Sequence, residues 1–214
     1  VKNDFEVYAS FSEVPEDLDV DVIIDFTNPS LLIPLADFAR DRKTPLVVAT
    51  TGLSKQDMEY LQETAKTTSV LYSANMSLGI CLLKDLVKRA VSFLGEGFDI
   101  EIIEKHHNQK LDAPSGTALA LADSINAVDN NKYEYIYDRH SRKAKRSPRE
   151  IGFSSIRGGN IVGDHDVIFA GNNEIIEISH KALSRDIFAD GALRAALFLK
   201  DNEKGFYTMD DLLS

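Results

Sequence analysis

Residues 101–122, EIIEKHHNQKLDAPSGTALALA, constrain this chain more than any other stretch. Just upstream, Phe98, Ile100 and Ile102 alternate with Asp99 and Glu101, so residues 98–104 carry the period-2 pattern of a sheet strand. That strand empties into His106, His107, Asn108, Gln109 and Lys110, a dense set of proton-transfer and cationic groups. Asp112, Ala113, Pro114, Ser115, Gly116 and Thr117 follow, and an Ala/Leu-rich helix starts at about Thr117. Pro114 and Ser115 are helix start signals, and Gly116 leaves room for a ligand against the backbone. A strand, a polar turn and a helix N-terminus in that order make an anion site, because unpaired N–H groups and the helix dipole converge there. Two histidines and a lysine beside it allow such a site to bind carboxylates and move protons.

The preceding residues read as a parallel, doubly wound sheet. An apolar run at 20–26 suits a buried strand, and Asn28-Pro29-Ser30 opens a helix to about Arg40. A second strand at 45–49 closes on Thr50, Thr51 and Gly52, and Ser54 with Asp57 has capping-box spacing for the next helix. A third strand, 69–73, ends on Ala74, Asn75 and Met76. Short links between alternating strands and helices imply parallel pairing, with ligands bound off the carboxyl ends of the strands. The polar turns FTN, ATT and SANM all fall at those ends. Residues 78–94 read as a mostly buried helix, with Leu82, Leu86 and Ala90 on one stripe beside Leu83, Val87, Val91 and Leu94. From 151 to 182 the pattern changes to strands with a hairpin at 170–173, an antiparallel or mixed sheet covered by helices on one face. A last helix spans 187–200, and Gly205-Phe206-Tyr207 begins a short tail. The expected class is α/β: a Rossmann-like sheet plus an α+β domain.

Bulk properties narrow the partners. A net charge of −10 on 214 residues disfavours nucleic acid, and it makes local positive charge necessary for attracting any anionic substrate. Nothing approaches the roughly 18 consecutive apolar residues of a membrane helix, and the opening VKNDFEVYAS carries no secretory pattern. The single cysteine, Cys81, cannot form an internal disulfide, fits a reducing cytoplasm and reads as a packed core thiol. Residues 139–149 hold six Lys/Arg, readable as a solvated loop or as a mobile basic flap over an acidic substrate.

His106 and His107 are adjacent, so on extended backbone they face opposite ways and cannot easily share a metal; no zinc-ligand spacing is present and no metal is expected. One histidine can serve as acid/base while the other orients substrate or packs. Ala113 and Pro114 precede Ser115 where a nucleophile elbow would need G-x, so Ser115 reads as a cap or ligand donor. Lys110 suits either a Schiff base or an ammonium held by an anion. His180, Lys181 and Arg185 are candidates for the pocket rim.

Glu104, His106, His107, Lys110 and residues 112–118 (DAPSGTA) resemble the signature of the 4-hydroxy-tetrahydrodipicolinate reductase (dihydrodipicolinate reductase) family. The likeness extends to IIDFTNPS (23–30), VVATTG (47–52), SANMSLG (73–79), IRGGNIVGDHDVIF (156–169) and SHKALSRDIFADGALRAALFL (179–199), nearly the whole chain. It implies reduction of a cyclic, conjugated imine dicarboxylate by NADPH or NADH, with loss of water, in lysine and diaminopimelate synthesis. By the same likeness His106 is the acid/base, Lys110 a proton donor, and His107, Gly116 and Thr117 bind substrate. The nicotinamide would lie along Phe26-Thr27, Ala49-Thr50-Thr51 and Ser73-Ala74-Asn75-Met76, with Arg185 also contributing to cofactor binding; Ala49 stands where many relatives carry glycine. The resemblance divides the chain into a discontinuous dinucleotide domain (1–77 with 186–214) and a domain for substrate and oligomerisation (78–185), and it implies a homotetramer. The family's glycine-rich opening βαβ unit is missing, and is expected to be an omitted segment. The competing reading is a non-catalytic dicarboxylate-binding oligomer that has lost the cofactor half.

Overall fold

In a computed structural model of the chain, which describes residues 5–128, 130 and 132–213, the alternating strands and helices resolve into two sheets. The elements are β1 (Ile23–Asp25), α1 (Leu32–Arg42), β2 (Leu46–Val48), α2 (Lys55–Thr64), β3 (Ser69–Tyr72), α3 (Leu78–Leu94) and β4 (Asp99–His106). They continue with α4 (Gly116–Val128), β5 (Glu134–Ile136), β6 (Glu150–Arg157), β7 (Gly163–Ala170), β8 (Ile175–Ala182), α5 (Asp186–Lys200) and β9 (Gly205–Tyr207). Two compact units result, one from residues 1–76 and 190–214 and the other from residues 77–189.

The first unit holds a four-stranded sheet in the order β1-β2-β3-β9, every pair parallel. Leu32, Leu35, Ala36 and Ala39 of α1 pack with Leu46 and Val48 of β2, Val70 of β3 and Leu61 of α2. Parallel strands covered in this way read as apolar runs, and Leu46, Val47 and Val48 are all fully buried. The first strand is shorter than the 20–26 run, because only Ile23–Asp25 find partners on β2. The first helix also starts later than expected: Asn28 caps a 3-10 turn, Pro29–Leu31, before α1 begins. Pro34 therefore falls in the first helical turn, where its missing N–H costs no intrahelical bond. Ser54 and Asp57 form both halves of the capping box, at 2.8 and 3.2 Å. Gly205-Phe206-Tyr207, read as the start of a tail, is a strand; it adds to β3 in parallel.

The second unit holds a mixed sheet, β5-β6-β4-β7-β8, in which β5, β6 and β4 run parallel while β7 and β8 are antiparallel. The strand β5 was not visible in the sequence pattern, and the 170–173 hairpin joins β7 to β8. Helices α3 and α4 cover one face, where Leu83, Val87, Leu121 and Ile125 meet Ile100, Ile102, Val167 and Phe169. The inner stripe of α3 is Leu83, Val87 and Val91; Leu82 and Leu86 are 48% and 40% exposed, so the helix is not mostly buried. A helix lying on one face of a sheet covers only part of its circumference.

The basic run is neither free loop nor flap. Arg139 pairs with Glu150 and Glu101 at 2.7 and 2.8 Å, and Arg146 with Asp99 and Glu101 at 2.7 and 3.1 Å. Arg146 also donates to the carbonyls of Ile100 and Glu150. Carboxylates on the outer face of β4 and β6 thus pin the segment across that face of the sheet.

Gly191 in α5 marks a close backbone approach in the first unit: a Cβ there would sit 1.7 Å from the carbonyl oxygen of Met76. Backbone cannot yield as a flexible side chain does, so Gly191→Ala should destabilise the protein by at least about 3 kcal/mol in denaturant unfolding, at the upper end of overpacking costs. A loss below about 1 kcal/mol would contradict this packing.

Candidate active site

The site grows from the alternation of β4. Ile100, Ile102, Glu104 and His106 face the helices, while Glu101, Ile103 and Lys105 face the other way. The strand continues to His106, past the Glu104 boundary expected from the sequence. Its buried face therefore turns from apolar to ionic within one strand, and Glu104 is fully buried at 0% exposure. A buried carboxylate is tolerable only if paired and hydrogen-bonded.

Donors from several segments meet it. The Arg157 guanidinium bridges both oxygens, Nη2 to Oε1 at 2.7 Å and Nη1 to Oε2 at 2.8 Å. The Ser115 amide donates to Oε1 at 3.2 Å, and His106 Nδ1 lies 2.5 Å from Oε2. Register explains the convergence, because Arg157 on β6 lies opposite His106 and His165 on β7 lies opposite Glu104. The rings of His106 and His165 meet edge-on, 5.2 Å apart. Gly163 makes room for the first: a Cβ there would be 3.1 Å from His106 Nε2.

Burial works to raise the Glu104 pKa, but the hydrogen bonds from Arg157, Ser155 and His106 outweigh it and hold the carboxyl at about 2. Burial lowers the His106 pKa, with Glu104 pulling the other way, so the imidazole is mostly neutral at pH 7. Burial depresses His165 further, to about 4, helped by the neighbouring His106.

The loop after β4 joins this network to the helix mouth. Arg157 Nη2 donates to the Asp112 carbonyl at 2.5 Å. Ser115 caps α4: its Oγ accepts from the Ala118 amide at 3.1 Å and lies 3.0 Å from His165 Nε2. Gly116 is exposed and Thr117 half-buried, and they carry the first two amides of the helix. Lys110 Nζ lies 2.9 Å from Asp112 Oδ1, and this contact, with help from the Gly116 amide, lowers the Asp112 pKa. His107 is half-buried in the same turn, where its carbonyl accepts from Lys110 N at 3.2 Å. His106, Lys110, Ser115 and Gly116 are thus tied together through Glu104, Arg157 and Asp112.

The remaining candidates occupy one edge of the first unit. Phe26 and Thr27, then Ala49, Thr50 and Thr51, then Ser73, Ala74, Asn75 and Met76 follow the carboxyl ends of β1, β2 and β3. Thr27 donates to Asp25 Oδ1 through its amide and hydroxyl, at 2.9 and 2.6 Å. Ser73 Oγ accepts from Asn75 N at 3.2 Å. Phe26 is 54% exposed, whereas Ala49 and Thr50 are buried. Arg185 stands apart from these turns in sequence, at an exposed position just before α5 and within the second unit. His180 is half-buried on the helix-facing side of β8, with Nε2 3.5 Å from Ser77 Oγ. Among the described residues no group of three or more His, Cys, Asp or Glu is arranged to hold a metal ion.

Sequence reasoning gave no role to Glu104, Arg157 or His165. For Glu104 a signal existed, since continuing the Ile100–Ile102 alternation puts a carboxylate and an imidazole on one buried face. Arg157 and His165 come from distant strands, and only the sheet register discloses them.

Family profiles described as dihydrodipicolinate reductase, N-terminus and C-terminus, match residues 1–76 and 79–213. A 4-hydroxy-tetrahydrodipicolinate reductase of Caldanaerobacter subterraneus subsp. tengcongensis is 53% identical over 210 residues, covering 98% of this chain and 82% of that protein. One from Clostridium tetani is 50% identical over 211 residues, covering 99% and 82%. A solved structure, dipicolinate-bound dihydrodipicolinate reductase from Paenisporosarcina sp. TG-14, matches with a TM-score of 0.72 at 23% identity, covering 88% of this chain and 71% of that one. It shows the fold.

The His165 shift fixes a sign for stability. The unfolded chain binds a proton at this residue below about 6.5, while the folded protein resists it down to about 4. Stability should therefore be full above pH 6.5 and fall as pH drops to 4, by up to about 3 kcal/mol from this group. Denaturant unfolding across that window should show less pH dependence in His165→Gln, by about one proton taken up on unfolding; an unchanged slope would contradict the assignment.

Proposed function

The chain belongs to the dihydrodipicolinate reductase family, and on that premise we infer that it reduces 4-hydroxy-tetrahydrodipicolinate to tetrahydrodipicolinate with NADPH or NADH, releasing water. The product serves lysine and diaminopimelate synthesis. The observation that carries this reading is a buried imidazole at the end of β4 and a lysine on the polar loop after it, both tied to the first turn of α4.

The substrate is a ring bearing two carboxylates. The amides of Gly116 and Thr117, at the positive end of α4, suit one carboxylate, and Lys110 or His107 suits the other charge. Asp112 now sits on Lys110 and near the Gly116 amide, so it is the internal competitor that an incoming carboxylate must displace. Lys110 is the proton donor and His106 the acid/base. A proton delivered to the ring nitrogen makes the adjacent carbon a better hydride acceptor, which stabilises the charge that develops in the transition state. His106, neutral and held through Nδ1, is left to exchange protons at Nε2.

For the cofactor, Phe26, Thr27, Ala49, Thr50, Thr51 and residues 73–76 are the holding residues, and Arg185 is a further candidate. Thr50 Oγ1 and Asp25 Oδ2 are buried polar atoms without a hydrogen-bond partner beside these turns, which fits a polar ligand laid along them. Bound there, the reduced nicotinamide supplies the hydride. Residues 1–77 with 186–214 then serve the dinucleotide, and residues 78–185 serve substrate and assembly. A homotetramer is the assembly we favour, supported by the exposed outer side of β8, where Ile175 is 68% exposed. The single cysteine and the absence of any helix, among the described residues, long and apolar enough to cross a membrane suit a cytoplasmic enzyme.

With NADPH and enzymatically generated substrate, the absorbance of reduced cofactor should fall with turnover, and His106→Ala and Lys110→Ala should each lose on the order of 10²–10⁴ in rate. No oxidation above that of the double variant would end the reading. Gly116→Ala separates binding from folding, because a Cβ there meets nothing within 4 Å. Its stability should change by less than about 0.5 kcal/mol, while KM for substrate rises roughly tenfold. An unchanged KM would remove the helix mouth from the substrate site.

A further inference from the structure

The Glu104 carboxylate is engaged at both oxygens, yet proton transfer to the substrate gives it no direct task. Each of its oxygens receives two donors: Oε1 from Arg157 Nη2 and the Ser115 amide, Oε2 from Arg157 Nη1 and His106 Nδ1. An ionised carboxylate accepts hydrogen bonds and donates none, so the imidazole nitrogen 2.5 Å away must be the one carrying the proton. That leaves His106 Nε2 without a proton when the ring is neutral. The guanidinium matters for the same reason: its two parallel bonds fix the plane of the carboxylate, and hence the direction in which the carboxylate holds the ring.

We propose that Glu104, clamped by Arg157, is the positioning residue of this site: it fixes the Nδ1–H tautomer and the orientation of His106 and so presents Nε2 as the proton acceptor. The proposal rests on the reductase reading for the reaction, but the tautomer itself does not. The charged and titratable groups facing His106 are Glu104 on its own strand, Arg157 on β6, His165 on β7 and Lys110 in the following loop. Arg157 and Lys110 both disfavour an imidazolium, and His165 remains neutral above about pH 4. Glu104 is the one of the four that favours it.

Two measurements test this. The first needs no variant: ¹⁵N-labelled histidine NMR of the wild-type protein, with His106 assigned from His106→Gln, should show Nδ1 protonated and Nε2 bare at neutral pH. The second is Glu104→Gln, checked for folding by circular dichroism. It should lower kcat by on the order of 10–10³-fold with KM within about threefold. It should also move the acidic limb of the rate profile to lower pH, since the imidazolium loses its one favourable partner; Glu104→Asp should recover part of both effects. A residue that only supported the fold would leave that limb in place. An Nε2–H tautomer in the wild type, or a folded Glu104→Gln with wild-type kcat and limb, overturns the proposal. If Glu104→Gln does not fold, the wild-type tautomer decides. Should the wild type oxidise no NADPH, the reductase reading fails while the tautomer measurement still judges the positioning.

Discussion

A charge buried at the end of an apolar strand face must be fully satisfied or it would unfold the strand that carries it. Glu104 is that charge, and its donors come from β4, β6 and the loop that opens α4. Satisfying one carboxylate thus sets the positions of an imidazole, an arginine and a helix mouth together. Much of the order in the second unit's polar end follows from that requirement. Arg157 extends it by bonding the Asp112 carbonyl, and Ser115 extends it by reaching His165 while capping α4.

Net charge and site charge oppose each other here. The chain carries −10 overall, yet the end of β4 and the loop after it gather Lys110, two histidines and a helix N-terminus. A doubly acidic ring would feel repulsion at long range, and that field is screened within about 10 Å at ordinary salt, whereas contacts with the amides and the ammonium act inside that distance. On the proposed reading, local positive charge is the feature on which recognition depends. The arginines of the 139–149 run do not add to it. Arg139, Arg142 and Arg146 are already matched by Glu101, Glu134, Glu150 and Asp99.

The sequence made some of this legible and hid the rest for physical reasons. The strand into DAPSGT and the helix after it could be read because period-2 alternation, Pro114, Ser115 and Gly116 are local signals. The Ser54–Asp57 box was legible for the same reason. Strands β5 and β9 are three residues each, too short to show a pattern, and they exist because β6 and β3 offer them edges. The outward stripe of α3, Leu82 and Leu86, is as apolar as its inner one, so sequence alone could not tell which faced the sheet. Arg157 and His165 lie 53 and 61 residues beyond Glu104, a distance that no local rule spans.

The central claim is that the cationic corner and the mouth of α4 grip a cyclic dicarboxylate. The most direct measurement is a crystal structure of the protein with pyridine-2,6-dicarboxylate. One carboxylate should lie on the Gly116 and Thr117 amides, Lys110 should have left Asp112 for the ligand, and the ring edge should face His106 Nε2. A ligand seated elsewhere, or Lys110 still on Asp112 with the helix mouth empty, would contradict the account.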